Sequence, residues 1–338
     1  MRSPERVAVL GAGSWGTALA GLLAKAGHDV VQWALEPQVV EEINLHHENR
    51  TFLPGAPLPE SLRATSDLAE AVRGASFVIS VSPSQFVDQV IGSAEAHLEP
   101  DVVVVSASKG IETTTLRRMD EVMEAHLTPT QMENFCVLSG PSFAREVADE
   151  APTAVVVASH SQVARLRVQS LFQTPYFRVY TNADVVGVEM GGALKNVIAL
   201  AAGVVSGLGF GHNTLAALIT RGLAEMSRLG LAMGATRETF AGLAGMGDLV
   251  LTCTGGLSRN RTVGYELGSG KTLEEVLGGM RQVAEGVKTA DAVKRLAGRH
   301  GVEMPICEEV YSILYEDRSP MDAVKNLMMR EPKPEDWS

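Results

Sequence analysis

Short runs of β-branched and apolar residues recur through the first half of the chain, separated by stretches whose apolar positions return every three or four residues. The runs at residues 7–10, 29–33, 77–81, 102–106, 135–138 and 154–158 are predicted strands, and residues 17–26 and 87–97 are among the predicted helices between them. Strands that are apolar throughout, rather than alternating, belong to a parallel sheet covered on both faces. From about residue 185 the strand pattern stops, and long Ala-, Gly-, Leu- and Met-rich helical patterns take over. The expected architecture is α/β: a Rossmann-type doubly wound, mainly parallel sheet over residues 1–182, followed by an all-α domain over residues 183–338.

Composition narrows the possible partners. The chain has 338 residues, 45% hydrophobic and 20% charged, with a net charge of −11. That balance argues against a broad surface for nucleic acid or anionic membrane, while leaving room for a local cationic pocket. Cys136, Cys253 and Cys307 are widely spaced and odd in number, as expected of a reducing compartment without a disulfide framework. The polar start gives no signal-peptide pattern. The longest near-apolar stretch, residues 197–208, is too short and too interrupted by Gly203, Ser206 and Gly207 for stable membrane insertion. A cytoplasmic protein is expected.

The first predicted strand runs into Gly11-Ala12-Gly13-Ser14-Trp15-Gly16 and then into a helical pattern. Gly11 permits a tight turn, Gly13 lets a pyrophosphate approach the backbone, and Gly16 lets the helix pack close to the strand, with the helix N-terminus facing the anion. A bare G-x-G-x-x-G is a weak signal; at the first βα turn, with a second strand after Gly27, it predicts dinucleotide binding. Cofactor preference stays open. Counting about twenty residues on from Gly16 reaches Glu36, an acid suited to a ribose, but the second strand itself ends on Ala34-Leu35, which is neither that acid nor a cation for a 2′-phosphate.

Ligands of open parallel sheets bind outside the carboxyl ends of the strands. Three further segments fall there: Ser82-Pro83-Ser84, Ser108-Lys109-Gly110, and Ser139-Gly140-Pro141-Ser142, in which Ser142 could cap the next helix or bind substrate. Lys195 lies in a helical pattern of small and apolar residues, and its neighbours one turn on, Ile198 and Ala199, offer no acid. The bland reading is a snorkelling lysine; the sharper one is a desolvated amine suited to proton transfer. Gly247-Asp248 reads as a helix N-cap, and Ser258-Arg259-Asn260-Arg261 reads as a loop whose guanidinium, amide and hydroxyl groups suit a phosphate. Gly268-Ser-Gly-Lys-Thr272 imitates the end of a P-loop, but Tyr265 stands where the first glycine is needed and no strand precedes it. No His-Glu-x-x-His is present and His46-His47-Glu48 has no third partner nearby, so no metal site is expected; no tyrosine has a lysine four residues on, as short-chain dehydrogenases require, and no Gly-x-Ser-x-Gly nucleophile elbow occurs.

These blocks, together with Leu138-Ser-Gly-Pro-Ser-Phe-Ala144, Gly191-Gly-Ala-Leu-Lys-Asn-Val197, Thr220-Arg-Gly-Leu-Ala-Glu-Met226, Gly245-Met-Gly-Asp-Leu249 and Val283-Ala-Glu-Gly286, occur in order along nearly the whole chain. In them the chain resembles the bacterial-type NAD(P)-dependent glycerol-3-phosphate dehydrogenases. The resemblance implies reversible hydride transfer between NAD(P)H and dihydroxyacetone phosphate, giving sn-glycerol 3-phosphate for phospholipid synthesis. By matching position it implies cofactor contacts at Ser14, Trp15, Phe52, Lys109, Ala144, Arg259, Val283 and Glu285, beside Gly11, Gly13 and Gly16 of the turn. It implies substrate contacts at Lys109, Gly140, Ser142, Lys195, Asp248, Ser258, Arg259 and Asn260, with Lys195 as the proton acceptor; whether Asp248 positions Lys195 or binds a substrate hydroxyl is open. Relatives usually carry Arg or His where this chain has Leu35, so the implied NADPH preference is in question. A helical second domain and a homodimer are implied as well. The alternatives are a 3-hydroxyacid or 6-phosphogluconate-type dehydrogenase of similar plan, which would prefer a carboxylate substrate, and a dinucleotide-sensing module, which would need neither Lys195 nor the 258–261 segment.

Overall fold

The computed structural model describes residues 3–279 and 284–335. Eight strands form one sheet: β1 (Arg6–Leu10), β2 (Asp29–Trp33), β3 (Arg63–Thr65), β4 (Phe77–Ser80), β5 (Val103–Ser106), β6 (Cys136–Ser139), β7 (Thr153–Ala158) and β8 (Phe177–Asn182), in the order β3-β2-β1-β4-β5-β6-β7-β8. All neighbours are parallel except β6 and β7. β4 and β5 are buried at every position, which is why their sequences are near-continuous valine and isoleucine rather than alternating. The chain leaves β1 toward one edge and returns at β4 beside it. The carboxyl ends of β1 and β4 thus form the switch point where open sheets of this kind bind ligands.

The two edge strands have no counterpart among the apolar runs of the sequence. β3 is three residues, Arg-Ala-Thr, too short to carry a pattern. β8 alternates buried Phe177 and Val179 with exposed Arg178 and Tyr180, as an edge strand with one wet face does.

The chain divides into two compact units. The first comprises residues up to Lys109 together with Arg117–Val188, and the second comprises Gly110–Leu116 together with residues from Glu189 on. Apart from the short segment 110–116, the second unit is helical, with helices Val185–Gly207, His212–Ala232, Asp248–Thr254, Arg259–Gly268, Glu285–His300 and Pro305–Tyr315 as its main elements; the first of these begins at the end of the sheet-bearing unit. The Val185–Gly207 helix is long and apolar enough to cross a membrane, but 94% of its apolar window is buried inside the protein, as in a core helix.

Within the helical unit one buried carboxylate holds a helix start in place. Pro305 begins its helix without a side-chain cap, and the buried N–H groups of Ile306 and Cys307 instead donate to Glu225 at 2.8 and 3.2 Å. Burial pushes the Glu225 carboxyl up to about 7, and the two N–H donors offset this only in part. A carboxyl whose folded value is raised holds its proton in the folded state where the unfolded chain has already lost it. Stability should therefore fall as pH rises from the usual carboxylate range to about 7, with a slope of at most about 1.4 kcal/mol per pH unit. Thermal unfolding measured between pH 5 and 8 should show this decline in wild type and a flatter profile in Glu225→Gln; a constant offset between the two proteins would mean that Glu225 does not titrate in that window.

Candidate functional site

In the sheet-bearing unit the glycine turn takes the form that an anion requires. Gly11 has φ +126°, and a Cβ there would lie 3.1 Å from the Val81 carbonyl carbon, so the turn threads between β1 and the end of β4 only as glycine. A Cβ on Gly16 would lie 2.1 Å from the Gly11 oxygen, which fixes how closely the helix Ser14–Lys25 meets the strand. Gly13, the N-cap, is exposed, its missing Cβ faces open space, and no side chain caps the helix. Ser14 and Trp15 occupy the first turn and are partly buried; among the described residues the buried Trp15 Nε1 has no hydrogen-bond partner. Open backbone N–H groups, a cradle left by a glycine and an orphaned donor together suit the diphosphate of a dinucleotide.

Three buried side chains hold this turn, two of which, Asn49 and Gln32, sequence reasoning passed over. Asn49 donates to the Ala12 carbonyl and to the Thr17 hydroxyl, both at 2.8 Å, and its own Oδ1 accepts from the N–H of Phe52. Gln32 donates to the Gly11 carbonyl at 3.0 Å, and Ser82 to that of Leu10 at 3.2 Å. Phe52 and Ala144 pack on the same apolar core. After β2, Ala34 is buried, and Leu35 is exposed at 72% with Glu36 beside it as the N-cap of the helix Pro37–His46.

Also on this unit, Lys109 reaches across to donate to the Gly140 carbonyl at 2.9 Å, and the Ser142 hydroxyl donates to the same oxygen at 3.0 Å. Gly140 has φ +132° and lies against Val155 Cα, so it too is required to be glycine. Ser142 is not a helix cap: the following helix, Ala144–Ala148, has Phe143 at its N-cap and no side-chain hydrogen bond there.

The second unit holds the other cluster. Lys195 is 7% exposed, and its ammonium lies 3.0 Å from Asp248 Oδ1 and donates to the Thr252 hydroxyl at 2.8 Å. Thr252 in turn donates to the Asp248 carbonyl at 2.6 Å. The acid that Lys195 lacks at the helical positions one turn on is supplied from another element, which local sequence could not reveal. Asp248 does not cap its helix: a π-helical turn, Leu243–Gly247, feeds straight into Asp248–Thr254, so the carboxylate sits in the first turn, where it meets Lys195.

The 258–261 segment is a helix N-terminus rather than a loop. Ser258 caps Arg259–Gly268 by accepting from the Arg261 N–H at 3.2 Å, and Arg259 is exposed in the first turn. Asn260 is buried, donating to Asn196 Oδ1 and accepting from the Gly286 N–H, both at 3.0 Å. Glu285 begins the helix Glu285–His300. Val283 lies outside the described residues.

Comparison with known proteins bears on both halves. The family model described as the NAD-dependent glycerol-3-phosphate dehydrogenase N-terminus matches residues 6–165, and the C-terminal model of the same name matches residues 184–325. The glycerol-3-phosphate dehydrogenase [NAD(P)+] of Geobacter metallireducens is 62% identical over 331 residues, covering 98% of this chain and 99% of its own; that of Geobacter sulfurreducens is 61% identical over 333 residues, with the same coverage. The crystal structure of glycerol-3-phosphate dehydrogenase from Coxiella burnetii, 41% identical, superposes with a TM-score of 0.92 and covers 97% of this chain and 99% of its own.

If Asn49 holds the turn in its anion-binding form, Asn49→Ala should weaken NADH binding about tenfold or more. It should also cost about 1–3 kcal/mol of stability through the buried groups it leaves unpaired. Fluorescence titration with NADH, alongside a thermal melt, measures both; stability lost with an unchanged Kd would separate Asn49 from cofactor binding.

Proposed function

The chain belongs to the NAD-dependent glycerol-3-phosphate dehydrogenase family, and from that premise we propose how its residues carry out the reaction. It is an NAD(P)-dependent oxidoreductase that interconverts dihydroxyacetone phosphate and sn-glycerol 3-phosphate, the latter serving phospholipid synthesis. The cofactor, when bound, exchanges a hydride with the substrate C2. Everything else falls to this chain's own side chains and backbone.

The observation that carries the proposal is the buried Lys195, held between a carboxylate and a hydroxyl. Lys195 is the proton-transfer residue: as ammonium it gives a proton to the C2 oxygen during reduction, and as amine it takes one back during oxidation. Asp248 aims the ammonium and stabilises it, and the Thr252 hydroxyl fixes its direction, so we assign Asp248 a positioning role ahead of contact with a substrate hydroxyl. Lys109, tethered at Gly140, polarises the same oxygen. Arg259 presents paired donors to the substrate phosphate from a helix N-terminus. Ser258 and Asn260 support it, because the Ser258 hydroxyl and the second amide hydrogen of Asn260 are still available to donate. Binding energy from the unreacting phosphate then orients C2. Gly11, Gly13, Ser14, Trp15, Gly16, Phe52 and Ala144 shape the dinucleotide cradle, and Val283 and Glu285 complete the proposed cofactor contacts. A reducing, cytoplasmic setting fits three buried free cysteines, and a homodimer fits the exposed apolar side chains Phe210, Leu257 and Tyr265.

Reduction of dihydroxyacetone phosphate, followed by the loss of cofactor absorbance, tests the proposal. Lys195→Ala should lose about 10²–10⁴ in kcat while NADH affinity stays within a few-fold; a variant that keeps most of its kcat would remove Lys195 from the mechanism.

Cofactor preference turns on Leu35. An exposed leucine followed by Glu36 offers no cation to a 2′-phosphate, so this protein should use NADH comparably with NADPH. Leu35→Arg should tighten NADPH selectively, by about 1–2 kcal/mol for a partly exposed charged contact. Titrating both proteins with both cofactors decides the matter: a wild type that already binds NADPH a hundredfold tighter than NADH, unmoved by the arginine, would refute this reading.

A further inference from the structure

The chain leaves the sheet-bearing unit after Lys109, contributes seven residues, Gly110–Leu116, to the helical unit, and returns at Arg117. That excursion is a built turn. The Glu112 carboxylate accepts from the N–H groups of Thr114 at 2.8 Å and Thr115 at 2.7 Å, and from the Thr115 hydroxyl. Burial works against the charge, but these donors together outweigh it and hold the carboxyl down at about 2, so the turn keeps its anion throughout the physiological range. Ile111 and Leu116 are buried, and Leu116 sits at φ +65°, a conformation uncommon for a bulky residue that its surroundings must impose.

With its N–H groups turned onto Glu112, the segment presents its carbonyls to the helix Glu285–His300. Arg295 spans two of them as a fork, Nη1 to Thr113 at 2.8 Å and Nη2 to Thr114 at 3.3 Å, and Arg299, one helical turn on, reaches Thr115 at 3.4 Å. Asp291, one turn earlier, lies 3.4 Å from Arg295 and orients it. The planar fork is what distinguishes this from an ordinary surface arginine: two adjacent carbonyls are held by one rigid group.

We propose that Arg295 is a positioning residue for Lys109, an inference that rests on the role given to Lys109 above. Only Gly110 and Ile111 separate Lys109 from the Glu112 turn. The lysine's side chain is tethered at the Gly140 carbonyl, while the backbone that follows it is tethered at Thr113 and Thr114, within the Glu112 turn, by Arg295. Releasing the second tether lets the backbone at Lys109 drift while the ammonium and its chemistry remain intact. A displacement on the order of an ångström in a reacting constellation costs up to about a hundredfold in rate.

A double-mutant cycle tests this. Arg295→Ala should lower kcat for dihydroxyacetone phosphate about tenfold, with KM changed less than about threefold. In the Lys109→Ala background the same substitution should cost less than about twofold, because residues acting through one group are non-additive. Hydrogen exchange in the peptide spanning residues 110–116 should quicken in Arg295→Ala. Arg295→Lys, which keeps the charge and loses the fork, should fall between wild type and Arg295→Ala and serves if the alanine variant folds poorly. Lys294→Ala, its cation paired with Glu316 instead, should leave kcat unchanged. Equal losses in both backgrounds, or an Arg295→Ala enzyme with wild-type kcat, would overturn the positioning role while leaving Lys109 in the mechanism. A Lys109→Ala enzyme with wild-type kcat would remove Lys109 itself and the inference with it.

Discussion

Backbone-to-backbone contact between the helices Val185–Gly207 and Arg259–Gly268 sets the geometry of the helical unit. A Cβ on Gly203 would lie 2.1 Å from the Arg261 oxygen, and one on Gly264 would lie 2.0 Å from that of Leu200; Gly207 and Gly268 meet their neighbours at 2.2 and 2.4 Å. Any side chain at these four positions would drive the helices apart. The contacts pair residues in the same order along both helices, so the two run in the same direction, and the start of the second lies beside the middle of the first. There Asn260 reaches Asn196, the residue after Lys195, and Gly286 brings a third helix against both, where a Cβ would lie 2.7 Å from the Asn196 oxygen. Gly191, one turn before Lys195, does the same with Ala244 at 2.5 Å, which draws the π-helical turn, and with it Asp248, onto the lysine. The small residues of this helix decide where its one lysine stands.

Energetically the Lys195–Asp248 pair is an odd use of a core. Two charges with side chains 9% and 2% exposed lose most of their hydration, and their attraction returns that cost only when further hydrogen bonds complete the site. Thr252 supplies one of them. An apolar pair of the same volume would serve stability as well or better, so the arrangement makes sense as pre-organisation for proton transfer, where a fixed, water-poor lysine with a stabilising partner is worth more than core stability.

What could be read from the chain follows the range of the interactions involved. The apolar strands at the centre of the sheet and the glycine turn announce themselves because burial on both faces and a tight βα turn leave local composition few choices. The edges β3 and β8 do not, since a strand with one neighbour needs little apolar sequence. Lys195 stood out as an isolated cation in a small-residue helix, yet its acid lay 53 positions away, and Asp248 looked like a cap because Gly-Asp before a helix usually is one. The 258–261 cluster was legible as chemistry and illegible as structure: the same serine that caps a helix can close a loop. Asn49, Gln32 and Thr252 carried no signal at all, for a single polar residue in a long sequence acquires meaning only from the carbonyl it meets in the fold.

That last class explains how a turn of small residues becomes a rigid anion site. Three successive carbonyls, those of Leu10, Gly11 and Ala12, are each taken by a buried side chain from a different segment: Ser82 after β4, Gln32 on β2, and Asn49 after the helix Pro37–His46. A carbonyl aimed at a phosphate would repel it, and an untied glycine turn can flip a peptide at little cost. Holding all three oxygens toward the protein leaves the anion to the N–H groups of the following residues, reinforced by the N-terminus of the Ser14–Lys25 helix. The glycines make the close approach possible; the amides and the serine make it point one way. Selectivity for an anion at this turn therefore resides as much in residues that never touch it as in the motif that does.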